Sequence, residues 1–255
     1  MQGLFTDIDD TLTRDGHIEP EALQALHALH RAGLMVVAVT GRPLGWSRPF
    51  ARDWPVAAIV AENGAVALRR DDSQPDGLRI QYSQDAATRA SNSQHLQAAA
   101  ARILAEMPHA RLAQDSPGRV TDIAIDHSEY ALLSEADIAR VVALMHSSGL
   151  QATVSSIHIN GWIGEHSKWS GARWMLHELC GRELNHEVER WIYVGDSTND
   201  QPMFERFPLA VGVANLLRFA DQLHVWPAYL TRGERGVGFA EVAQAVLAAR
   251  AARAR

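Results

Sequence analysis

The sequence predicts an α/β protein: a doubly wound, Rossmann-like parallel sheet with a second unit of α+β type inserted into it. Three mainly apolar runs, each followed by a polar loop, predict buried strands at Gly3–Thr6, Leu34–Val39 and Val56–Ala61. Strands without a polar face are typical of parallel sheets that helices cover on both sides. This alternation is interrupted from about residue 69 and resumes after Gly161. We therefore expect one α/β core with an insertion.

Amphipathic segments between these strands predict the helices of the core. Leu23, Leu26 and Leu29 share one face of a helix over 19–32, which Gly33 ends. A short helix is predicted over 45–52, and a hairpin after Glu62-Asn63-Gly64. The elements predicted after the insertion are a helix over 168–179, strands over 191–194, 209–213 and 224–226, and a closing helix from Glu241.

The insertion has its own order of elements. Polar residues with Pro75 and Gly77 predict a loop or hinge over 69–81. The elements predicted after it are a helix over 85–107, strands over 110–114 and 120–126, a helix over 135–147 and a strand over 152–160, with an opening strand over 79–83 as an option. We place the domain boundaries so that 1–81 and 162–255 form the core and 82–161 the inserted unit.

The composition is that of a globular protein. The 255 residues are 47% hydrophobic and 21% charged, which excludes a disordered chain. No apolar run approaches the ~20 residues of a membrane span, and the first residues lack the features of a signal peptide, so we expect a cytoplasmic protein without a membrane partner. Cys180 is the only cysteine, which excludes an intramolecular disulfide.

The charge balance also limits the function. The formal net charge is −6, from 24 basic and 30 acidic residues, and this argues against a nucleic-acid partner. It fits an enzyme that holds a cation between itself and an anionic substrate. Lys168 is the only lysine of the chain, which suggests a position where arginine cannot substitute.

Asp7 and Asp9 follow the first predicted strand. In open α/β sheets, ligands bind outside the carboxyl ends of the strands. Two residues apart on an extended chain, the two side chains share a face, and the carboxylates repel each other unless a cation lies between them. Mg²⁺ prefers oxygen ligands of this kind, together with phosphate.

Three further segments carry polar groups suited to the same chemistry. Thr40 ends a buried strand with a hydroxyl and neighbouring backbone amides, and Lys168 begins a helix just after the insertion. The segment VGDSTND contributes Asp196, Asn199 and Asp200. Each segment alone is common in turns and helix ends, but their order and their placement along one sheet are specific.

Together these segments resemble the haloacid dehalogenase superfamily of phosphohydrolases, in its Cof-type subfamily IIB. The matching motifs are DIDDTL over 7–12, the strand that ends at Thr40, Lys168 and GDSTND over 195–200. The insertion resembles the α/β cap of the sugar-phosphatase-like branch, as do TGRP over 40–43 and ENGA over 62–65. One position departs from the pattern, because Trp169 follows the lysine where relatives often have glycine.

The resemblance implies a role for each matching residue. Asp7 would take the phosphoryl group as an aspartyl-phosphate, and Asp9 would protonate the leaving oxygen and then deprotonate the attacking water. Thr40 and Lys168 would hold the phosphoryl oxygens; a compact ammonium can approach both the phosphate and Asp7, whereas a guanidinium is a planar fork. The implied Mg²⁺ ligands are Asp7, the Asp9 backbone carbonyl and Asp196, supported by Asn199 or Asp200. Implied substrate-binding residues of the core are Thr40, Gly41, Arg42 and Asn63.

The inserted unit is expected to select the substrate, a small phosphorylated metabolite. Residues 82–160 hold 5 Arg and 8 acids, a net charge of −3, which suits neutral hydroxyls better than a polyphosphate. We expect Asp122, His158 and Asn160 to bind sugar hydroxyls from the polar faces of two strands, with Arg119 available for a second anionic group. On the opposite faces, Ile123, Ile125, Ile157 and Ile159 would pack on the two helices of the unit.

The function expected from these residues is Mg²⁺-dependent hydrolysis of a phosphate monoester, with a sugar phosphate as the expected substrate. Two alternatives remain open: phosphoryl transfer within a sugar phosphate, as in a phosphomutase, and a non-catalytic binding protein on the same fold. Dehalogenation is disfavoured, because that chemistry does not need the acid at Asp9.

Overall fold

The structure, a computed structural model, describes residues 1–253. Its strands are β1 (Gly3–Thr6), β2 (Thr13–Arg14), β3 (His17–Ile18), β4 (Met35–Val39), β5 (Ala58–Ala61), β6 (Val66–Arg70), β7 (Leu78–Tyr82), β8 (Arg111–Leu112), β9 (Asp122–Asp126), β10 (Gln151–Val154), β11 (His158–Trp162), β12 (Trp191–Gly195), β13 (Ala210–Gly212) and β14 (Tyr229–Leu230). Its α-helices are α1 (Pro20–Arg31), α2 (Leu44–Asp53), α3 (Ala86–Glu106), α4 (Glu135–Ser147), α5 (Lys168–Cys180), α6 (Gln201–Arg206) and α7 (Arg235–Arg253).

The larger of the two main sheets has eight strands in the order β14-β13-β12-β1-β4-β5-β6-β7. The strands from β14 to β5 run parallel, and β6 and β7 continue the sheet in antiparallel fashion. Since β1 lies between β12 and β4, the residue after β1 occupies the middle of the strand ends. The predicted α/β fold with a predominantly parallel sheet is confirmed.

Helices cover both faces of this sheet, because its strands are apolar on both. Leu4 points into a core that includes Leu26 of α1 and Phe239 of α7. Its neighbour Phe5 points into the opposite core, with Met175 of α5. No helix within residues 1–253 has the length and apolarity needed to cross a membrane.

The second main sheet is antiparallel, with the order β10-β11-β9-β8. Ile125 of β9 and Ile159 of β11 are fully buried in a core of their own. They pack there with Ile103 of α3 and with Val141 of α4, so α3 and α4 cover one face of the sheet, as expected for these isoleucines. The division of the chain at residues 82 and 161 stays a prediction.

The single strand predicted over 152–160 is wrong: β10 and β11 form a hairpin with a turn at residues 155–157. The Ser155 hydroxyl accepts hydrogen bonds from the Ile157 and His158 backbone amides, at 3.3 and 3.0 Å. A serine side chain that binds the backbone ahead of it stabilises a turn. Ile157 therefore lies in the turn and not in the apolar core of the sheet, contrary to the prediction.

The edges of the large sheet also differ from the prediction. The strand predicted over 224–226 is absent, because the His224 and Val225 amides bind the Gln201 side chain instead of a neighbouring strand. The edge strand is β14, a few residues later. The optional opening strand over 79–83 corresponds to β7, which pairs with β6 in the large sheet and not with the inserted unit. The closing helix begins at Arg235, six residues before the predicted start.

Gly171 in α5 allows this helix to approach the segment after β5 closely. A Cβ atom on Gly171 would lie 2.6 Å from the Cα of Gly64 and 2.8 Å from Cγ1 of Val60. Gly64 itself has a φ of +108°, a conformation that favours glycine. The contact fixes the start of α5, and with it Lys168, against the end of β5.

Gly171→Ala tests this close approach. In an open helix, alanine would stabilise the protein by about 1 kcal/mol relative to glycine. Here overpacking should outweigh that gain, so we expect the free energy of unfolding to fall by about 1–2 kcal/mol. Urea unfolding followed by circular dichroism measures the change, and a variant more stable than the wild type would contradict the expectation.

Candidate active site

The candidate site lies at the carboxyl ends of the central parallel strands. Asp7 follows β1, Thr40 follows β4 and Asp196 follows β12, and all three are buried. The Asp7 amide donates a hydrogen bond to the Val194 carbonyl at 2.9 Å, so the backbone stays paired one residue beyond β1. Three segments that are distant in the sequence thereby meet at one edge of the sheet, as the motifs predicted.

Asp7, Asp196 and Asp200 form a compact acidic cluster. One carboxylate oxygen from each lies within 4.8 Å of the other two. The Thr11 hydroxyl donates a hydrogen bond to Asp196 Oδ1 at 3.5 Å, and the Asn215 side-chain amide donates to Oδ2 at 3.3 Å. Hard oxygen donors at this spacing are the ligands that Mg²⁺ uses in proteins.

Asp200 is the most firmly held of the three carboxylates. Its Oδ2 accepts hydrogen bonds from the Asp196 and Ser197 backbone amides, at 2.9 and 3.2 Å. Its Oδ1 accepts from the Tyr193 hydroxyl and from Lys168. Asp200 therefore orients its neighbours, whereas Asp7 and Asp196 have more capacity left for a cation.

The buried negative charge of the cluster shifts the pKa values of its members. The pKa of Asp7 is raised to about 7, mainly by burial and in part by Asp200 and Asp9, while Lys168 acts to lower it. Burial and the nearby Asp7 and Asp200 also raise the pKa of Asp196 well above its usual range. A bound cation would remove this repulsion, so the residues present fit a divalent metal ion.

Lys168 is the one cationic side chain placed directly within this cluster among residues 1–253. Its Nζ lies 2.9 Å from Asp7 Oδ1 and 2.7 Å from Asp200 Oδ1, and it donates to Asn199 Oδ1 at 3.2 Å. Burial alone would lower the pKa of Lys168, but Asp200 and Asp7 together raise it. The ammonium is therefore charged and fixed beside Asp7. The Ser167 side chain caps α5 and so fixes where this lysine begins the helix.

Donors for an anion surround the end of β4. The Arg42 backbone amide donates to Thr40 Oγ1 at 3.0 Å, and the Asn63 backbone amide donates to the Thr40 carbonyl at 3.0 Å. Asn63 has a left-handed φ of 54°, which asparagine tolerates better than most residues. Its buried side-chain Nδ2 has no partner within residues 1–253, so it is free to bind a ligand oxygen beside Gly41.

Arg42 joins the core to the inserted unit. Its Nε donates to Asp9 Oδ1 at 2.9 Å, and its two terminal nitrogens bind Asp115 at 3.1 Å and Glu129 at 2.7 Å. Glu129 in turn lies 2.8 Å from His158 Nε2. Two acids of the inserted unit thus neutralise the guanidinium that holds Asp9.

The other polar residues predicted from the inserted unit form a second cluster. Arg119 binds Asp122 at 2.8 Å and Asp115 at 3.0 Å, and donates to the Gly41 carbonyl at 3.0 Å. The Asn160 amide donates to Asp122 at 3.1 Å and to the same carbonyl at 3.3 Å. The Arg119 side chain is 2% exposed, so its guanidinium is already bound on several sides. That these residues contact a substrate stays a prediction.

Glu62 is a site residue for which the sequence predicted no role. It is fully buried with a φ of 48°, and its carboxylate accepts from the backbone amides of Leu44, Val120 and Thr121, at 3.0, 3.1 and 2.6 Å. It therefore ties the core loop after β5 to the inserted unit. Its only sequence signal was its place in ENGA.

Other residues were also missed. Tyr193 lies in an apolar run and Asn215 in a segment without any motif, so neither stood out. Asp115 and Glu129, which bind Arg42, lie in loops whose position relative to the core cannot be read from local sequence.

A small cavity lies above Asp7 and Thr40, under the turn of the β10–β11 hairpin. It is also lined by Asp9, Arg42 and Ile157. Its volume of about 10 Å³ is close to the space one water molecule needs. In this closed arrangement the cavity is therefore too small to hold a phosphate group.

We compared the sequence with models of known protein families and with curated proteins. Residues 4–94 match the family model of the haloacid dehalogenase-like hydrolases. A search of curated protein sequences finds no match. This match agrees with the resemblance that the motifs carry in that part of the chain.

Solved structures share the fold over nearly the whole chain. A protein from Thermoplasma acidophilum is 18% identical, with a TM-score of 0.69 and coverage of 95% of this chain and 96% of that one. The sucrose-phosphatase of Synechocystis sp. PCC6803, solved with sucrose and phosphate, is 19% identical, with a TM-score of 0.65 and coverage of 94% and 96%. The phosphatase BT1666 from Bacteroides thetaiotaomicron is 19% identical, with a TM-score of 0.65 and coverage of 96% and 94%. At these identities the matches establish the fold.

The raised pKa of Asp7 predicts a pH-dependent stability. Between about pH 3.8 and 7 the folded protein keeps a proton on Asp7 that the unfolded chain has already lost. The contribution of this group to the free energy of unfolding is therefore largest below pH 3.8 and is lost as the pH rises to about 7. In chelator, Asp7→Asn should thus gain in melting temperature over the wild type between pH 4 and 7, by on the order of several °C. Melting curves at both pH values measure the gap, and a gap that shrinks with rising pH would show that burial does not raise the pKa of Asp7.

Proposed function

From its likeness to the haloacid dehalogenase-like hydrolases, we propose that this chain is a Mg²⁺-dependent phosphatase acting on a small phosphate monoester through an aspartyl-phosphate at Asp7. The observation that supports it best is the arrangement around Asp7: a buried carboxylate at the centre of the strand ends, 2.9 Å from the only lysine and clustered with two further acids. We also propose residues 82–161 as the cap domain that covers this site.

Asp7 can act as a nucleophile only if it is oriented and if the negative charge around it is neutralised. A carboxylate is a weak nucleophile, so positioning and charge neutralisation must supply most of the rate gain. Lys168 holds one Asp7 oxygen, which orients the other toward the phosphorus of a bound ester. Mg²⁺ held by Asp7, Asp196 and the Asp9 carbonyl, with Asp200 in support, would neutralise the phosphate charge that these acids would otherwise repel.

Donors on the opposite side would bind the phosphoryl oxygens. Thr40 lines the small cavity, the Asn63 side-chain amide lies beside Gly41 of its wall, and Lys168 binds Asp7 and Asn199 of its wall. Together these donors fit an anion with several oxygens. Donors placed before the reaction starts stabilise the charge that develops in the transition state.

Asp9 would move the proton. Arg42 binds its Oδ1, which fixes the carboxyl group and leaves Oδ2 free to protonate the leaving oxygen and later to deprotonate the attacking water. Asp9 lines the same cavity as Asp7, which supports a place for it beside the leaving oxygen. The closed cavity would limit the access of water during phosphoryl transfer. The likeness in fold to the sucrose-phosphatase solved with sucrose and phosphate supports a sugar phosphate as substrate.

Turnover of 4-nitrophenyl phosphate tests the proposal. We expect hydrolysis with Mg²⁺, loss of activity in excess chelator and its return on adding Mg²⁺. Asp7→Asn should lower kcat by about 10⁴-fold or more, because the amide is not nucleophilic. Asp72→Asn, which changes an exposed acid, should keep full activity.

Mass spectrometry of acid-quenched reactions locates the intermediate. One phosphoryl group on the peptide that contains Asp7 is expected in the wild type and not in Asp7→Asn. Undiminished turnover in Asp7→Asn would disprove the aspartyl-phosphate mechanism.

Lys168→Arg tests the requirement for a compact cation. The Lys168 Nζ is buried between three oxygens at 2.7–3.2 Å, with no space for a planar fork. We expect Lys168→Arg to lower kcat/KM nearly as much as Lys168→Ala, by about 10²-fold or more. The control is Arg140→Lys, an exchange of the same two residue types on the exposed face of α4, which should leave kcat/KM unchanged. Recovery of most activity in Lys168→Arg would refute the argument from the single lysine.

A further inference from the structure

A second, larger cavity adjoins the small one above Asp7. The two share Asp9, Arg42 and Ile157 in their walls. The larger cavity has a volume of about 480 Å³, the size of a small-molecule pocket. If the phosphoryl group binds over Asp7 and Asp9 protonates the leaving oxygen, then the leaving group extends past Asp9 into this larger cavity.

The charged groups in this cavity are mostly neutralised by each other. Arg42 binds Asp9 and Glu129, and Arg235 binds Asp10. Both guanidiniums are largely buried, with 4% and 12% of the side chain exposed. Neither is free to bind a ligand without breaking an ion pair in a partly dry environment.

Arg218 differs from both in its exposure, although it shares Glu234 with Arg235, whose terminal nitrogen lies 3.5 Å from that carboxylate. Its side chain is 50% exposed, and its ion partner Glu234, at 3.1 Å, is 48% exposed and lies outside the cavity wall. An ion pair this exposed contributes little and exchanges readily. Arg218 therefore lines the leaving-group cavity with a cation that can change partners. Arg119, for which the sequence suggested a second anion, is 2% exposed and is not in the wall.

The remaining polar groups of the wall suit a hydroxylated chain. Ser128, Ser156 and Tyr130 face the cavity from the inserted unit, and Tyr130 is 65% exposed. Asp15 is the one acid of the wall without an ion pair within residues 1–253. Asp15 also lines a groove beside α2, and Arg218 also lines a groove beside α4.

The geometry points to a second anion site at Arg218: the alcohol released from the substrate carries a carboxylate or a second phosphate, which Arg218 binds while the scissile phosphate lies over Asp7. This rests on the proposed phosphatase function and adds the substrate class to it. Hydroxyls between the two anions would meet Ser128, Ser156 and Tyr130. Glu234 releases Arg218 when such a substrate binds.

Matched pairs of phosphate esters test the site. Glycerol 3-phosphate and 3-phosphoglycerate differ only in a hydroxymethyl against a carboxylate, and sorbitol 6-phosphate and 6-phosphogluconate repeat that difference over a longer chain. Fructose 6-phosphate and fructose 1,6-bisphosphate test a second phosphate in place of the carboxylate. We expect the wild type to prefer the member with the second anion in at least one pair by about tenfold to a hundredfold in kcat/KM, as a charge-assisted hydrogen bond provides.

Arg218→Gln should abolish that preference and leave turnover of 4-nitrophenyl phosphate unchanged, since this ester has no second anion. Arg140→Gln removes another exposed, ion-paired arginine, which lies outside the cavity wall, and should keep the preference. Unchanged 4-nitrophenyl phosphate turnover also shows that the Arg218 variant is folded.

The pattern of results separates the two proposals. Equal kcat/KM within every pair, or an equal effect of Arg218→Gln on both members of the preferred pair, would overturn the anion site while the phosphatase function stands. Failure to hydrolyse any ester, 4-nitrophenyl phosphate included, in the presence of Mg²⁺ would overturn the proposed function and the anion site with it.

Discussion

The site depends on negative charge that the fold concentrates in a buried place. Asp7, Asp196 and Asp200 are held together by the ends of two neighbouring strands, and within residues 1–253 Lys168 is the side chain that faces them with a positive charge. Bringing several carboxylates out of water is costly unless they are paired. The strands and α5 supply the packing energy that holds these groups in place. In the function we propose, the remaining charge would create the affinity for a cation and, through it, for a phosphate.

The contacts between the core and the inserted unit near the site are polar. Arg42 binds acids of both parts, and Glu62 binds backbone amides of both. Beside these polar contacts the two backbones approach closely, since a Cβ atom on Gly45 would lie 2.8 Å from the Cα of Gly118. Polar groups that water can satisfy cost less to separate than an apolar interface of equal area. The same contacts can therefore hold the site closed and still allow a substrate to enter.

The sequence predicted the core of the site because that core is local. Asp7, Thr40 and Asp196 each follow a strand whose apolar residues identify it, and the parallel sheet brings such positions together. The groups that hold them come from further away: Tyr193 is hidden in an apolar strand, and Asp115 and Glu129 reach Arg42 only through the packing of the inserted unit. The hairpin at residues 155–157 was missed because a serine side chain, not a glycine or proline, stabilises its turn.

The position of Asp9 connects the chemistry to selectivity. Among the acids of residues 1–253 it is the one that lines both cavities, and its partner Arg42 is fixed by Asp115 and Glu129 of the inserted unit. Any movement of that unit changes what Arg42 binds, and so changes how Asp9 is held. A leaving group that fits the larger cavity would thus stabilise the closed arrangement in which Arg42 holds Asp9, the residue we propose as the proton donor. Contacts with the remote part of the substrate would then help to orient Asp9 in the transition state, and such contacts raise kcat and not only affinity.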